Sequence, residues 1–116
     1  HNDPPAKTVF SEVGDGRRAE VQDSLLCPGV VVSGGKVRRS VLSNRVYVDE
    51  HSELDECIVM RGARVGKRCK LRRTIVDKWN VIPDGTVIGY DAVADRKRFT
   101  VSESGIVVVE HGHAWD

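Results

Sequence analysis

A fixed 17-residue period governs the middle of this chain, and few folds can hold one. From Asp23, Ser40, Cys57 and Thr74, four rows follow one another without a gap (40 − 23, 57 − 40 and 74 − 57 are each 17). They read DSLLCPGVVVSGGKVRR, SVLSNRVYVDEHSELDE, CIVMRGARVGKRCKLRR and TIVDKWNVIPDGTVIGY. Three columns of this stack are aliphatic throughout: Leu25, Leu42, Val59, Val76; Val31, Val48, Val65, Ile82; and Val37, Leu54, Leu71, Ile88. Along the chain they recur after six, six and five residues. A helix repeats its apolar residues every three or four positions and a half-buried strand every two, so neither fits. Three short strands per turn, each sending one aliphatic inward, do fit. That is a triangular coil, the hexapeptide form of parallel β-helix. Ordinary hairpins with a chance period are the competing reading, and four rows in register count against it.

Neighbouring columns agree. Gly35, Ser52, Cys69 and Thr86 form one column of small residues, and Asp23, Ser40, Cys57 and Thr74 form another, small apart from its first member. Gly29, Gly34, Gly62, Gly66, Gly85 and Gly89 fall between aliphatic positions, where corners are expected. Charges alternate down the outer columns, from Arg38-Arg39 to Asp55-Glu56 to Arg72-Arg73, and from Lys36 to Glu53 to Lys70. Stacked strands favour opposite charges on adjacent rungs. The same alternation argues against nucleic acid as a partner of the Arg-Arg pairs, because the row between them answers their charge.

The remainder frames the coils. Residues 1–22 form a lead-in, with Pro4-Pro5 extended, Thr8-Val9-Phe10 a short strand and Gly14-Asp15-Gly16-Arg17-Arg18 a turn. Residues 91–116 supply a cap, a final strand and a tail. Asp91–Phe99 reads as a loop or short helical turn over the open end of the stack, Ile106–Val109 as a strand, and 110–116 as structureless. The expectation is one all-β domain of about four coils. Its start, without methionine and in mid-sequence, is that of a piece cut from a longer protein. Net charge is +1, and no run is long enough to span a bilayer, so bulk charge and hydropathy indicate neither nucleic acid nor membrane. Three cysteines in no metal spacing, with no signal-peptide pattern, point to a reducing cytoplasm.

Candidates for chemistry are few. His111 and His113 could pinch a metal, but no third ligand stands near them in sequence, so no metal site is assigned. His51 falls in an exposed corner column, where coiled acyltransferases and carbonic anhydrases place functional histidines. It is the only histidine within the coils. No glycine-rich phosphate loop precedes a helix, so no catalytic residue is assigned in this chain.

The order of the pieces resembles the C-terminal domain of bacterial glucose-1-phosphate adenylyltransferases. The residues that carry the resemblance are Pro4-Pro5-Ala6-Lys7, Ser33-Gly34-Gly35, Ser40-Val41-Leu42-Ser43, Val65-Gly66-Lys67-Arg68-Cys69 and Ile75-Val76-Asp77-Lys78, then Val81 to Gly89. Asp95 with Lys97-Arg98-Phe99, followed by Ser104-Gly105-Ile106-Val107-Val108-Val109, is the more specific part. The resemblance implies a left-handed coil, against the usual hand of parallel crossovers. It implies a regulatory and assembly domain, in a homotetramer, of an enzyme making ADP-glucose for glycogen synthesis. An N-terminal catalytic domain, with its ATP and Mg²⁺, is then absent from this chain, which is expected to be inactive alone. It also implies a small-molecule allosteric effector. One effector-binding cation is placed just before the Ile-Pro turn, where Lys78 stands, and others just past the final strand, where this chain has His111 and then Trp115. Lysine where the family commonly has arginine keeps the charge and loses the bidentate fork. Lys78 as a plain solvated corner residue is the competing reading, and a freestanding hexapeptide acyltransferase or scaffold is the competing function.

Overall fold

The computed structural model describes residues 5, 7–8 and 19–115. The expected strand residues Val9-Phe10 and the turn at Gly14–Arg18 lie outside the described residues. The fold is a left-handed parallel β-helix of about four turns, with three flat walls. The first wall stacks Lys7–Thr8, Val31–Val32, Tyr47–Val48, Arg64–Val65 and Val81–Ile82. The second stacks Ala19–Gln22, Gly35–Arg38, Glu53–Asp55, Lys70–Arg72 and Val87–Ile88. The third stacks Leu25–Leu26, Val41–Leu42, Ile58–Val59, Thr74–Val76 and Val107–Val109, with Thr100–Val101 antiparallel at its edge. All other neighbours are parallel.

From the second row onward the inward columns are those that the period predicts. Leu42, Val48, Leu54, Val59, Val65, Leu71, Val76, Ile82 and Ile88 are all buried. The first row departs. Leu25 is 60% exposed, and Leu26 takes its place in register with Leu42. Val31 pairs with Tyr47 on the outside, and Val32 is the buried partner of Val48. The cause is a corner one residue short. Asp49-Glu50-His51 carries the second coil from Val48 to Ser52, whereas Ser33-Gly34 alone carries the first from Val32 to Gly35. Gly34 and Gly35 both take left-handed backbone there (φ 93° and 87°). Val30, Val46 and Ala63 add a further buried column, one residue before the first wall, that the aliphatic period does not reveal.

The small columns are hydrogen-bonding ladders. Ser40 Oγ accepts the Cys57 N–H at 3.0 Å and donates to Arg38 O at 2.7 Å. Ser52 Oγ accepts the Cys69 N–H at 3.0 Å and donates to Gly66 O. In the first row Ser24, and not Asp23, belongs to this column, its Oγ accepting the Ser40 N–H. Cys57 and Cys69 are buried, and desolvation pushes the Cys57 thiol up to about 11, so it is protonated and inert at neutral pH.

Among the expected corner glycines, Gly66 alone has no left-handed φ. It is kept small because a Cβ would meet the Asp84 carboxylate at 2.5 Å and Ile82 O at 2.7 Å. Eight other corner positions place ordinary residues in the left-handed region: Asp23, Arg39, Arg45, His51, Glu56, Arg68, Arg73 and Trp79.

The charge columns stack as predicted, Lys36 beside Glu53 beside Lys70, and Arg38 beside Asp55 beside Arg72. Asp55 is held by Arg39, whose Nη2 lies 2.7 Å from Oδ1 and 2.8 Å from Oδ2. That hydrogen bond and charge raise the Arg39 pKa. Replacing Asp55 and Glu56 together by lysine would put three positive rows in contact. The melting temperature is expected to fall by roughly 5 °C at low ionic strength and to recover in part with added salt. An unchanged value at low salt would show that these columns are not coupled.

Past Ile88 the chain leaves the period. Asp91 caps the helix Ala92–Arg98, its Oδ1 accepting the N–H groups of Val93 and Ala94 at 3.1 Å, and Arg96, Lys97 and Arg98 fill the last turn, where cations suit the helix dipole. Buried Asp95 accepts the Gly89 N–H at 3.0 Å and so ties the helix to the last full coil. The chain then returns as the final strand, which is the fifth parallel rung of the third wall. The tail, expected to lack structure, repeats a corner instead. His113 N–H donates to Glu110 O, as Ala63 does to Met60 and Val46 to Ser43 in earlier coils. Phe99, His113 and Trp115 cluster there, with ring centroids 4.5–5.7 Å apart.

Candidate functional site

The corner that follows the third wall gathers the two residues singled out above. Thr74–Val76 and Val107–Val109 are adjacent rungs in register, so the residues two beyond Val76 and Val109, Lys78 and His111, occupy equivalent places on consecutive coils. Asp77 joins them. Its Oδ1 accepts the Lys78 N–H at 2.7 Å, and its Oδ2 accepts the His111 N–H at 3.4 Å. The Lys78 N–H is the main reason the Asp77 carboxyl titrates below its ordinary value. Desolvation opposes it, and the His111 N–H and the charges of Lys78 and His111 add to the lowering.

Asn80 fixes the tail to this corner. It is buried, and its side-chain amide donates to the carbonyls of Asp77, Val109 and Glu110 at 3.1–3.2 Å. Asn80 continues the column of Val46 and Ala63, so one polar residue in an otherwise apolar column is what anchors the fifth corner. Trp79 covers the corner below. A Cβ on Gly62 would meet the Trp79 ring at 2.1 Å, so the indole lies directly over that glycine. Lys78 and His111 themselves are exposed.

Two signals went unused in the sequence. Arg61 stands 17 residues before Lys78, so Arg61, Lys78 and His111 form a line of basic residues on three consecutive coils. The column was readable from the period. Arg96, Lys97 and Arg98 line a hollow of about 220 Å³ together with Glu110 and His113. Only the helix, where the sequence suggests a loop or short helical turn, brings those cations to the tail. His51 is an exposed corner residue with left-handed backbone (φ 61°). His113 is committed to the aromatic cluster, 4.7 Å from Phe99. Among the described residues, no three His, Cys, Asp or Glu side chains are gathered as a metal site would need.

The arrangement offers the exposed Lys78 ammonium and the exposed His111 ring at fixed spacing on a rigid backbone, with one carboxylate turned onto backbone N–H groups. It can help to bind an anion.

The family model described as GlmU-like, C-terminal hexapeptide matches residues 4–109. Among curated relatives, the glucose-1-phosphate adenylyltransferase of Geobacter metallireducens is 50% identical over 109 residues, which is 93% of this chain and 26% of that protein. Those of Anaeromyxobacter sp. (45% over 109 residues) and Koribacter versatilis (46% over 111) cover 94% and 96% of this chain and 26% of their own lengths. The chain thus spans about a quarter of the length of the relatives it matches.

Proposed function

Because this chain belongs to the GlmU-like, C-terminal hexapeptide family, we propose that it is the regulatory and assembly domain of a glucose-1-phosphate adenylyltransferase. The full-length enzyme would transfer an adenylyl group from ATP to glucose 1-phosphate and give ADP-glucose for glycogen synthesis. The observation that carries this reading is the extent of the identity. It runs over nearly all of this chain, at 45–50%, in proteins of that printed name.

The chemistry belongs to the other three quarters of such a protein. ATP and Mg²⁺ would be held by an N-terminal catalytic domain, and this chain alone is inactive in the proposed reading. Its own part is to support a homotetramer and to present Lys78 and His111 to a small anionic effector. Asp77 holds both backbones in place and lowers the net positive charge of the corner, so these two residues make half a site. The catalytic domain supplies the rest. The described residues contain no helix long and apolar enough to cross a membrane, and the enzyme is proposed to work in the cytoplasm.

The test is a chimaera. Residues 4–116, His111 included, replace the corresponding C-terminal segment of the Geobacter metallireducens enzyme, and ADP-glucose formation is followed with and without a panel of sugar phosphates, nucleotides and small carboxylates. The chimaera is expected to turn over. Lys78→Ala is expected to cut activation about tenfold, the worth of one charged hydrogen bond, while unactivated turnover stays within about twofold. Loss of unactivated turnover with an unchanged effector response would overturn the assignment of Lys78.

A further inference from the structure

Two hollows meet at Arg98 and differ in charge. The one beside the helix sets Arg96, Lys97 and Arg98 against Glu110 alone and is cationic. The other, of about 450 Å³, lies between the corner at 83–87 and the tail. Its charged residues are Asp84 and Arg98, one of each sign, and Trp115 and the exposed Val87 line it with them. That volume falls within the ~300–1,000 Å³ of small-molecule sites. Neither Lys78 nor His111 borders it.

The parts of this groove are fixed. His113 meets the Trp115 ring edge-on with centroids 4.5 Å apart, and Phe99 lies 5.7 Å away. The Arg98 guanidinium stands 5.7 Å from the centre of the indole. Trp115 is half-buried, so it shows the groove a held apolar surface with a cation at its side. Asp84 is oriented too, because its Oδ1 accepts the Lys67 N–H at 2.8 Å. Gly85 also lines the groove, and nothing lies within 4 Å of a Cβ added there, so the groove stays open to solvent at that point.

These parts choose among ligands. A phosphate or carboxylate would be repelled by Asp84 as much as drawn to Arg98, and the cationic hollow next to it suits an anion better. A purely apolar ligand would cover Asp84 and Arg98 and leave both unpaired. A neutral polyol satisfies both, since its hydroxyl groups donate to a carboxylate and accept from a guanidinium. The C–H face of a sugar ring also packs flat on an indole. An open groove, unlike a closed cavity, can hold a segment of a longer chain.

We propose that this groove is a carbohydrate-binding site for a neutral α-glucan chain. Trp115 carries a sugar ring, and Arg98 and Asp84 bond its hydroxyl groups. The groove itself selects a neutral sugar chain. The α-glucan rests on the function proposed above, since glycogen is the polymer that ADP-glucose serves to build. Bound here, the polymer keeps the enzyme beside the reaction that consumes its product.

Native electrophoresis of the 116-residue chain, through gels with and without glycogen, reads binding directly. Glycogen is expected to retard the wild-type chain. Maltoheptaose should compete with a Kd of about 1 mM, as suits a groove that leaves much of its ligand in water. Trp115→Ala should weaken binding at least tenfold, as loss of a central aromatic does. Asp84→Asn, which can keep the Lys67 bond, should weaken it about threefold. In a Trp79→Phe chain Trp115 is the one remaining indole, and maltoheptaose should shift its emission to the blue. An emission that maltoheptaose leaves unmoved overturns the proposal, even where Trp115→Ala disturbs the tail. So does retardation that is absent, that survives Trp115→Ala in a chain with the wild-type circular dichroism spectrum, or that cellohexaose or glucose 1-phosphate relieves equally well. The chimaera tests the enzyme reading apart from this one. A chimaera that makes ADP-glucose, beside a chain that ignores glycogen, removes the groove alone.

Discussion

A chain carrying Val59→Asp is expected not to fold. Val59 is fully buried, with Leu42 on the rung below it and Val76 on the rung above. Burying such a side chain contributes about 1.5–3 kcal/mol. A carboxylate in its place would lose that and would enter an interior lined by aliphatics. Removing an unpaired charge from water costs several kcal/mol more. Domains of this size have only about 5–15 kcal/mol to lose. A coil also cannot bypass the damage, because each rung is templated by its neighbours. The control lies one residue away. Ile58 shares the strand with Val59 and points outward. Ile58→Asp should keep the native circular dichroism spectrum and a cooperative melt, while Val59→Asp should show neither. A soluble Val59→Asp protein with the wild-type spectrum would mean that the wrong face of this strand had been taken as inward.

That pair of substitutions also shows what the sequence makes legible. From Ser40 onward, a strict period and one aliphatic per wall are enough to separate Val59 from Ile58, because each rung copies the one before it. The first coil breaks the copy. A gap-free stack keeps Leu25 over Leu42, whereas the structure puts Leu26 there, since the corner at Ser33-Gly34 has lost a residue. The Gly-Gly pair was the visible sign of it. The left-handed corners were legible where glycine marks them, as at Gly29, Gly62 and Gly85, but not at Arg39, Glu56, Arg68 and Arg73, which have no Asn or Gly character. Their long side chains reach solvent, Arg39 meets Asp55 and Arg73 the Ser104 carbonyl, and stacking over-determines the backbone. In the candidate site, Lys78 and His111 were named on a resemblance. Their adjacency depends on the final strand joining the third wall, a long-range pairing that no local pattern encodes. Asp77 and Asn80, which hold the two together, were missed for the same reason.

The short first corner leads to the second large effect, which should fall on Gly35 and not on Gly85. Both residues have left-handed backbone, with φ of 87° and 75°. For alanine that conformation alone costs about 1–2 kcal/mol. At Gly85 nothing lies within 4 Å of a new Cβ, so conformation is the whole cost. At Gly35 the Cβ would stand 2.3 Å from Ser52 O and 2.9 Å from Ser52 N. Neither atom can yield cheaply. Ser52 O accepts the Lys36 N–H at 2.8 Å, and Ser52 Oγ bridges Gly66 O and the Cys69 N–H. Relief by moving Gly35 is closed too, because the corner already spans its gap with one residue fewer than the coil above. Gly35→Ala is therefore expected to cost about 3–5 kcal/mol, the range reserved for core clashes, and to lower the melting temperature by about 15 °C or more. Gly85→Ala should lower it by a few degrees. Thermal and urea unfolding of the two variants beside the wild-type chain makes the comparison. Equal losses would show that the first corner has room, and the account of the shifted first coil would fail with it.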